Sequence, residues 1–388
     1  MKLLHTSDWH LGHILYGYER AQEQESMLLQ MIEIVKNEKP DVFLVCGDIY
    51  HTSQPSNLVQ TMFTNAIVDL HKANPDMTII VTAGNHDSGS KHEIFSTPWK
   101  VLNVHAIGTV NENETGNLIV EIPGKGYVIA VPYINERFMP EGLYQELLDK
   151  ANERNKNNLP VFLTAHTAIK GSYFEGHEGS TESIIGDIKC SDIEKMGVGY
   201  DYLALGHIHR PQFVKGGENR VRYSGSPLAV SFDEAYSHTV SIVEISKHGE
   251  TPQVREVEID NPHPLVTLPT NDALPFEEVK KLLVDFPGDN EAFIRLNVSV
   301  DDFLPVETQH EAELAIEGKK CRLCLINAVR NKTEKAGAAS EMTVQEFAME
   351  KPIDIAKKYA AFANENFDSD MEKLFNEVLV AVEEENRM

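Results

Sequence analysis

Over the first half of the chain, short runs of consecutive apolar residues alternate with longer stretches whose apolar positions recur at helical spacing. The run over residues 2–7 stops at Asp8-Trp9-His10. Met27, Met31, Ile34 and Val35 then share one face of a helix predicted from about Arg20 to Asn37. Val42-Phe43-Leu44-Val45-Cys46 is apolar throughout, as a strand buried on both faces must be, and stops at Gly47-Asp48. A second helix is predicted from about Ser56, behind Pro55, to Ala73, before Asn74-Pro75. Thr78-Ile79-Ile80-Val81 follows and runs into Ala83-Gly84-Asn85-His86-Asp87. This β-α-β-α-β order needs crossover connections and so predicts a parallel sheet in an α/β domain.

The pattern continues further on. Tyr127–Val131 is stopped by Pro132, Val161–Thr164 ends at Ala165-His166, and Tyr202–Leu205 ends at Gly206-His207-Ile208-His209. Residues 221–245 read as short strands between turns, predicted to form the other half of a layered sheet. Asn261-Pro262-His263-Pro264 breaks the pattern and marks a domain boundary, with His263 expected as a solvated loop residue. Residues 265–330 then read α-β-α-β: helix Phe276–Phe286, strand Ala292–Val300, helix Glu307–Ile316, strand Cys321–Val329. That is a small α+β module. Residues 331–342 have the composition of a linker. Over 343–388, Thr343-x-x-Glu346 and Ser369-x-x-Glu372 are capping-box spacings, and Met371, Leu374, Phe375, Val378, Leu379 and Val382 form an amphipathic stripe. Such a stripe packs on its own protein or on a partner, and the residues alone leave both readings open.

Five of the apolar runs end, on their C-terminal side, in side chains able to ligate a metal. In open α/β sheets ligands bind at the carboxyl ends of strands, so ends remote in sequence can converge. His207 and His209 are two apart, and in an extended segment such residues point the same way; both are expected to project together past the strand end. Asp8, His10, Asp48, Asn85, His166, His207 and His209 supply seven N/O donors, too many for one open catalytic ion and suited to two. Mixed imidazole and carboxylate ligation suits Mn, Fe or Zn, whereas Mg prefers oxygen. Asp48, the central strand-end acid, is the natural bridge. Two ions about 3.5–4 Å apart hold an in-line displacement at phosphorus. His86, beside Asn85 on a loop, is a candidate general acid for a leaving oxygen. His51 is a candidate for positioning the phosphate, and Asp87 for orienting His86.

Composition narrows the classes. With 388 residues, 41% hydrophobic and 24% charged, the chain reads as a soluble globular protein of more than one domain. Its 4 cysteines are too few for a disulfide framework and point to the cytoplasm. Cys321-x-x-Cys324 lies in a predicted strand, where positions three apart face opposite sides, so it is not expected to bind zinc. No stretch approaches the ~18 apolar residues of a membrane span, and the N-terminus has no signal-peptide pattern. A net charge of −25 excludes a protein that coats nucleic acid by charge alone. It leaves room for a nuclease whose acidic site is offset by bound cations. Arg210, Lys215, Arg220 and Arg222 form a basic cluster beside the last histidine motif and are candidate DNA contacts. The Gly- and Ser-rich loop Lys170–Gly186 is a candidate wall of the substrate path.

Together, Asp8-Trp9-His10, Gly47-Asp48, Gly84-Asn85-His86-Asp87, His166 and Gly206-His207-Ile208-His209 resemble the full signature of the calcineurin-like metallophosphoesterases. The blocks Leu4–Gly12, Asp201–His209, Tyr223–Pro227 and Ser231–Glu234 resemble more particularly the SbcD family, nuclease subunits of bacterial SbcCD complexes. The resemblance is dense over 1–245 and rests on length and layout over 265–388. It implies a four-layer metallophosphoesterase β-sandwich flanked by helices over 1–260 and a capping domain over 265–330 that helps grip DNA. It further implies that helices within 343–388 dock on an SbcC-like ABC ATPase.

By the same resemblance two metal ions, preferentially Mn²⁺, are held at the strand ends. One takes Asp8, His10, Asp48 and His209; the other takes Asp48, Asn85, His166 and His207. The implied enzyme is a DNA exonuclease and endonuclease acting on double-strand ends, single strands and hairpins, in repair, recombination and replication. It would work as a homodimer within a heterotetramer, in the cytoplasm and away from membranes. His51 departs from the pattern, since many bacterial members carry an acid there and His resembles the archaeal form. Two other classes compete with this reading. One is a stand-alone small-molecule phosphoesterase, for example on cyclic nucleotides. The other is a metal-free scaffold, whose hallmark would be missing ligands, and none is missing here.

Overall fold

The computed structural model describes residues 1–174 and 190–330 and, beyond them, Ile353, Lys357, Met371, Glu372, Lys373 and Phe375, leaving aside the side chains of Phe95, Glu112 and Glu136. The predicted linker at 331–342, the rest of the helical segment at 343–388, and the loop from 175 to 186 lie outside the described residues. Met1–Arg330 forms one compact unit and Asn331–Met388 a second. Within the second, Lys357 Nζ lies 2.7 Å from Glu372 Oε1.

In the first unit the early apolar runs become neighbours in one sheet. Lys2–Thr6, Val42–Cys46, Thr78–Thr82 and Val104–Ile107 run parallel in that order. Thr239–Glu244 pairs antiparallel with Lys2–Thr6, and Gln253–Glu258 extends the sheet to six strands. The later runs make a second six-stranded sheet, ordered Gln212–Phe213, Val221–Tyr223, Tyr202–Gly206, Val161–His166, Gly126–Ala130, Ile119–Ile122. Its four central strands are parallel. The expectation that 221–245 completes one sheet is corrected. Val221–Tyr223 joins the second sheet beside Tyr202–Gly206 and Thr239–Glu244 the first beside Lys2–Thr6, pairings that local patterning cannot reveal.

Alternation along the strands decides what each face touches. Leu3, Val42, Leu44 and Ile80 pack against the second sheet. Their neighbours Leu4, Phe43, Val45, Ile79 and Val81 pack with Met27, Met31, Val35, Phe63 and Ile67 of helices Ala21–Glu38 and Asn57–Ala73. The second of these helices starts where Pro55-Ser56 predicts, with Ser56 Oγ accepting from Val59 N at 3.3 Å. Leu143, Leu147, Leu148 and Ala151 of helix Leu143–Arg154 cover the far side of the second sheet. The result is four layers, helix–sheet–sheet–helix. His5, 0% exposed, ties the two sheets together: Nδ1 lies 3.0 Å from Tyr202 Oη and Nε2 3.1 Å from Leu205 O.

The α+β module builds its own core. Leu265–Leu268, Phe293–Val300 and Arg322–Arg330 form a three-stranded parallel sheet, and helices Phe276–Asp285 and Thr308–Ala315 cover one face through Val279, Leu283 and Ala312. The sequence pattern anticipates four of these five elements and misses Leu265–Leu268, four half-buried residues between two prolines. Cys321 sits in this core and Cys324 on the other side, as expected of positions three apart in a strand. That other side meets the sandwich where Phe293 packs with Leu15 and Phe232. His263 corrects a second expectation. It is 4% exposed, with Nδ1 2.9 Å from Glu23 Oε1 and Nε2 3.0 Å from Glu291 Oε2. The loop that carries it lies in the seam between module and sandwich, where carboxylates flank the ring on both sides and Nε2 hydrogen-bonds Glu291. Among the described residues no helix is long and apolar enough to cross a membrane.

Candidate metal centre

The carboxyl ends of both sheets meet at one place. Asp8 and His10 follow Lys2–Thr6, Asp48 follows Val42–Cys46, and Asn85 follows Thr78–Thr82 in the first sheet. His166 ends Val161–His166, and His207 and His209 follow Tyr202–Gly206 in the second. Glycine makes the approach possible. A Cβ on Gly47, whose φ is +83°, would lie 2.2 Å from His166 Nδ1; one on Gly206 would lie 1.9 Å from Cys46 O. The chain turns sharply here even without glycine: φ is 54° at Asp8, 45° at His10, 51° at Asp48 and 98° at His207. Left-handed backbone at a non-glycine residue costs about 1–3 kcal/mol and persists where the surroundings over-determine it. Asp8 N→Gly47 O and His10 N→Asp48 O, both 3.0 Å, are part of that restraint.

All seven predicted donors come together, in two groups. On one side His10 Nε2 lies 3.2 Å from His209 Nε2, and donor atoms of Asp8, His10 and His209 are all within 4.8 Å of one another. On the other side Asn85 Oδ1 lies 2.9 Å from His166 Nε2 and 3.1 Å from His207 Nδ1. Asp48 stands between them, with Oδ2 3.3 Å from His166 Nε2 and 3.9 Å from His10 Nε2. The expectation that His207 and His209 project together as extended-strand neighbours is corrected. The strand ends at Gly206, and the turn at His207 sends one ring toward Asn85 and the other toward His10.

Hydrogen bonds fix the tautomers. His166 Nδ1 donates to Cys46 O at 2.8 Å and His209 Nδ1 to Glu234 Oε1 at 3.0 Å, so in both rings Nε2 is the atom turned toward the centre. The electrostatics show a site rich in negative charge. Burial opposes a charge on His166, yet the Asp48 carboxylate prevails and raises it to about 9. Burial likewise opposes protonation of His209, and Glu234 overrides it, again to about 9. Burial alone would raise Asp48, but His166 and His10 hold it well below the carboxylate range. Asp8 goes the other way, raised by burial. Imidazole nitrogens face to face at 3.2 Å, beside two buried carboxylates, form a donor set that divalent transition-metal ions fit.

A family model described as calcineurin-like phosphoesterase matches residues 1–211. The chain belongs to that family. It is also 30% identical to SbcD, the nuclease component of SbcCD, of Bacillus subtilis, over 100% of both chains. The SbcD of Rhodobacter capsulatus is 29% identical over 87% of this chain and 90% of its own length. That of Escherichia coli K12 is 24% identical over 90% and 91%. The chain is therefore a metal-dependent hydrolase of the SbcD family, whose members are named as nucleases.

Other residues of this phosphoesterase surround the centre. His86 Nδ1 lies 2.9 Å from His51 O, and the two rings are stacked with centroids 5.8 Å apart. Donor atoms of both lie within 4.8 Å of His10. Burial, then His86, lowers His51. What the Asp87 carboxylate holds is loop backbone, accepting from Ile49 N, Tyr50 N and Gly84 N at 3.1, 3.0 and 2.8 Å. That is a correction of its expected role on His86. Of the basic cluster, Arg210 lies beside the centre, 5.8 Å from the rings of both Tyr173 and Tyr236, and Lys215 is exposed. Arg222 is 2% exposed, paired with Glu256 and stacked on Phe213, so it is withdrawn as a DNA contact. Arg220 is withdrawn too. It binds Asp201 O, Glu250 O and Gly249 O at the amino ends of the parallel strands, a strand's length from the centre.

Sequence reasoning assigned no role to Glu234, Gln24 or His13. Gln24 Nε2 donates to His10 O at 3.1 Å and its Oε1 accepts from Gly12 N at 3.0 Å. The His13 ring lies 4.7 Å from that of His51, and burial lowers it to about 3. The available signals were the polar residues Glu23 and Gln24 beside the apolar face of the first helix and the place of Glu234 in the Ser231–Glu234 block.

Proposed function

We propose that this chain is a two-metal DNA phosphodiesterase, an exonuclease on double-strand ends and an endonuclease on single strands and hairpins. Asp8, His10, Asp48 and His209 would hold one ion, and Asp48, Asn85, His166 and His207 the other. The donor set suits Mn²⁺. The observation that carries the reading is Asp48 between two donor groups, within 4 Å of a histidine in each. Bound there, the ions supply Lewis acidity to the phosphoryl oxygens and lower the pKa of water. The chain's residues do the rest. His86 donates Nδ1–H to His51 O, so Nε2 is the atom that delivers a proton to the leaving oxygen. His51, stacked against it, restricts the ring and faces the phosphate. Glu234 and Cys46 O keep the protons of His209 and His166 on the outer nitrogens.

The relatives' name implies a further component beside the nuclease. In this reading residues 1–260 are the nuclease domain, 265–330 a cap that helps hold DNA, and 331–342 a linker. Helices within 343–388 dock on an SbcC-like ABC ATPase, as a homodimer in a cytoplasmic heterotetramer that processes DNA ends. Arg210 and Lys215 are the remaining candidates for phosphate contact.

The test is cleavage of linear and hairpin DNA by Mn²⁺-loaded protein, alone and with its ATPase. Degradation that His86→Ala abolishes supports the reading. Absence of cleavage in both settings, or fast turnover of a cyclic nucleotide that long DNA does not compete, overturns it. Co-purification of a long coiled-coil ATPase from the native cell checks the partner.

A further inference from the structure

Glu234 is 6% exposed and lies on the loop between strands Val221–Tyr223 and Thr239–Glu244. Besides holding His209 Nδ1 through Oε1, it accepts through Oε2 from Val230 N at 3.3 Å and from Ser226 Oγ at 3.4 Å. The two residues before it face the α+β module. Asp233 Oδ1 lies 2.5 Å from Arg295 Nη1, and Arg295 Nη2 donates to Phe232 O at 3.3 Å. The Phe232 ring lies 5.4 Å beneath the Arg295 guanidinium and packs with Phe293. Three consecutive residues therefore run from the surface of the module to a proposed metal ligand.

His10, the partner of His209, is reached from the same seam. Gln24 holds His10 O, and the residue before it, Glu23, lies 2.9 Å from His263, whose other nitrogen hydrogen-bonds Glu291 of the module. His166 has a different anchor, the Cys46 carbonyl of the neighbouring sheet.

We propose that Glu234 is a positioning residue for the His10/His209 half of the metal centre, and that the seating of the 265–330 module sets its position through Phe232 and Asp233. The proposal rests on the two-metal reading above. Ligating rings must be held within about 0.5 Å of productive geometry. A displaced loop turns the His209 ring away from His10 while leaving the Asn85/His166 pair in place. The module is thereby a control on one ion of the two.

Mn²⁺ binding to the full chain, followed by titration calorimetry and by electron paramagnetic resonance, tests this. Wild type should take up two ions and give the spectrum of a spin-coupled pair. Glu234→Gln keeps the shape of the side chain but removes the charge that orders the imidazole. It should hold one ion at wild-type affinity and the other about 10–100-fold more weakly, with single-ion spectra at limiting Mn²⁺. Arg295→Met should weaken the same ion by a smaller factor. Two ions held by Glu234→Gln with unchanged affinity, or both weakened alike, overturn the proposal; a wild type that binds fewer than two ions overturns the two-metal reading instead. Should Glu234→Gln fail to fold, Arg295→Met decides alone: unchanged binding of both ions overturns the coupling.

Discussion

The two halves of the metal centre are anchored in different material. The His166 half is fixed by main chain: a carbonyl of the adjacent sheet holds the imidazole, and glycines let the sheets approach until that bond is 2.8 Å long. The His209 half is fixed by a side chain, Glu234, on a loop that also bears the α+β module. Main chain in the middle of two packed sheets can move only if the core moves. A loop wedged between domains moves with either of them. On the proposed two-metal reading, the difference makes one half of the centre rigid and the other adjustable.

Asp48 belongs to both halves, so its loss is expected to be the most damaging. Asp48→Asn should abolish binding of both ions and cost more activity than the ~10²–10⁴-fold typical of a missing general acid. Retention of one tightly bound ion, seen by calorimetry, would mean that the halves are separate sites. His86→Asn should lower kcat about 10²–10⁴-fold while both ions bind normally. A parallel loss of metal would make His86 a ligand.

Gly206→Ala is the mirror of the Glu234 substitution. The new methyl meets Cys46 O at 1.9 Å, so the variant should weaken the Asn85/His166 ion about 10–100-fold. Overpacking should cost about 1–3 kcal/mol of stability. If the His209 ion is the one lost, the assignment of anchors is reversed. The seam between the sheets can also be probed by pH. Burial, with Arg222 nearby, lowers His5 from its ordinary 6.5 to about 3. The unfolded chain therefore binds this proton first, and His5 contributes stability that is complete above about pH 6.5 and erodes toward pH 3. The slope should approach about 1.4 kcal/mol per pH unit. Urea unfolding of His5→Gln should show a shallower acid limb; an identical limb removes His5 from the explanation. The smallest effect is expected at Arg210. Arg210→Glu should weaken DNA binding and reduce the slope of log K against log salt by about one, whereas an unchanged slope takes it off the DNA path.

Much of the candidate metal centre was legible because each candidate ligand follows a run of residues with no other reason to stop there. Asp8, Asp48, Asn85, His166 and His209 each end an apolar strand, and ligands collect at such ends. The supporting residues were not legible. Glu234 is an acid in a turn, His263 a histidine between prolines, and Arg222 a basic residue in a basic stretch. Such residues are ordinarily solvated, and only the packing of one element on another buries them with partners.

The amino-acid sequence by itself determined most of the elements, the α/β class and the seven candidate donors, because strand periodicity and strand-end chemistry are properties of short segments. Tertiary structure alone decided that the runs divide between two sheets and that His207 and His209 turn apart at a positive φ. It also decided that Arg220 and Arg222 point away from the centre while Glu234 points into it. These outcomes depend on which surfaces meet, and contacts between separate elements leave no mark on local pattern.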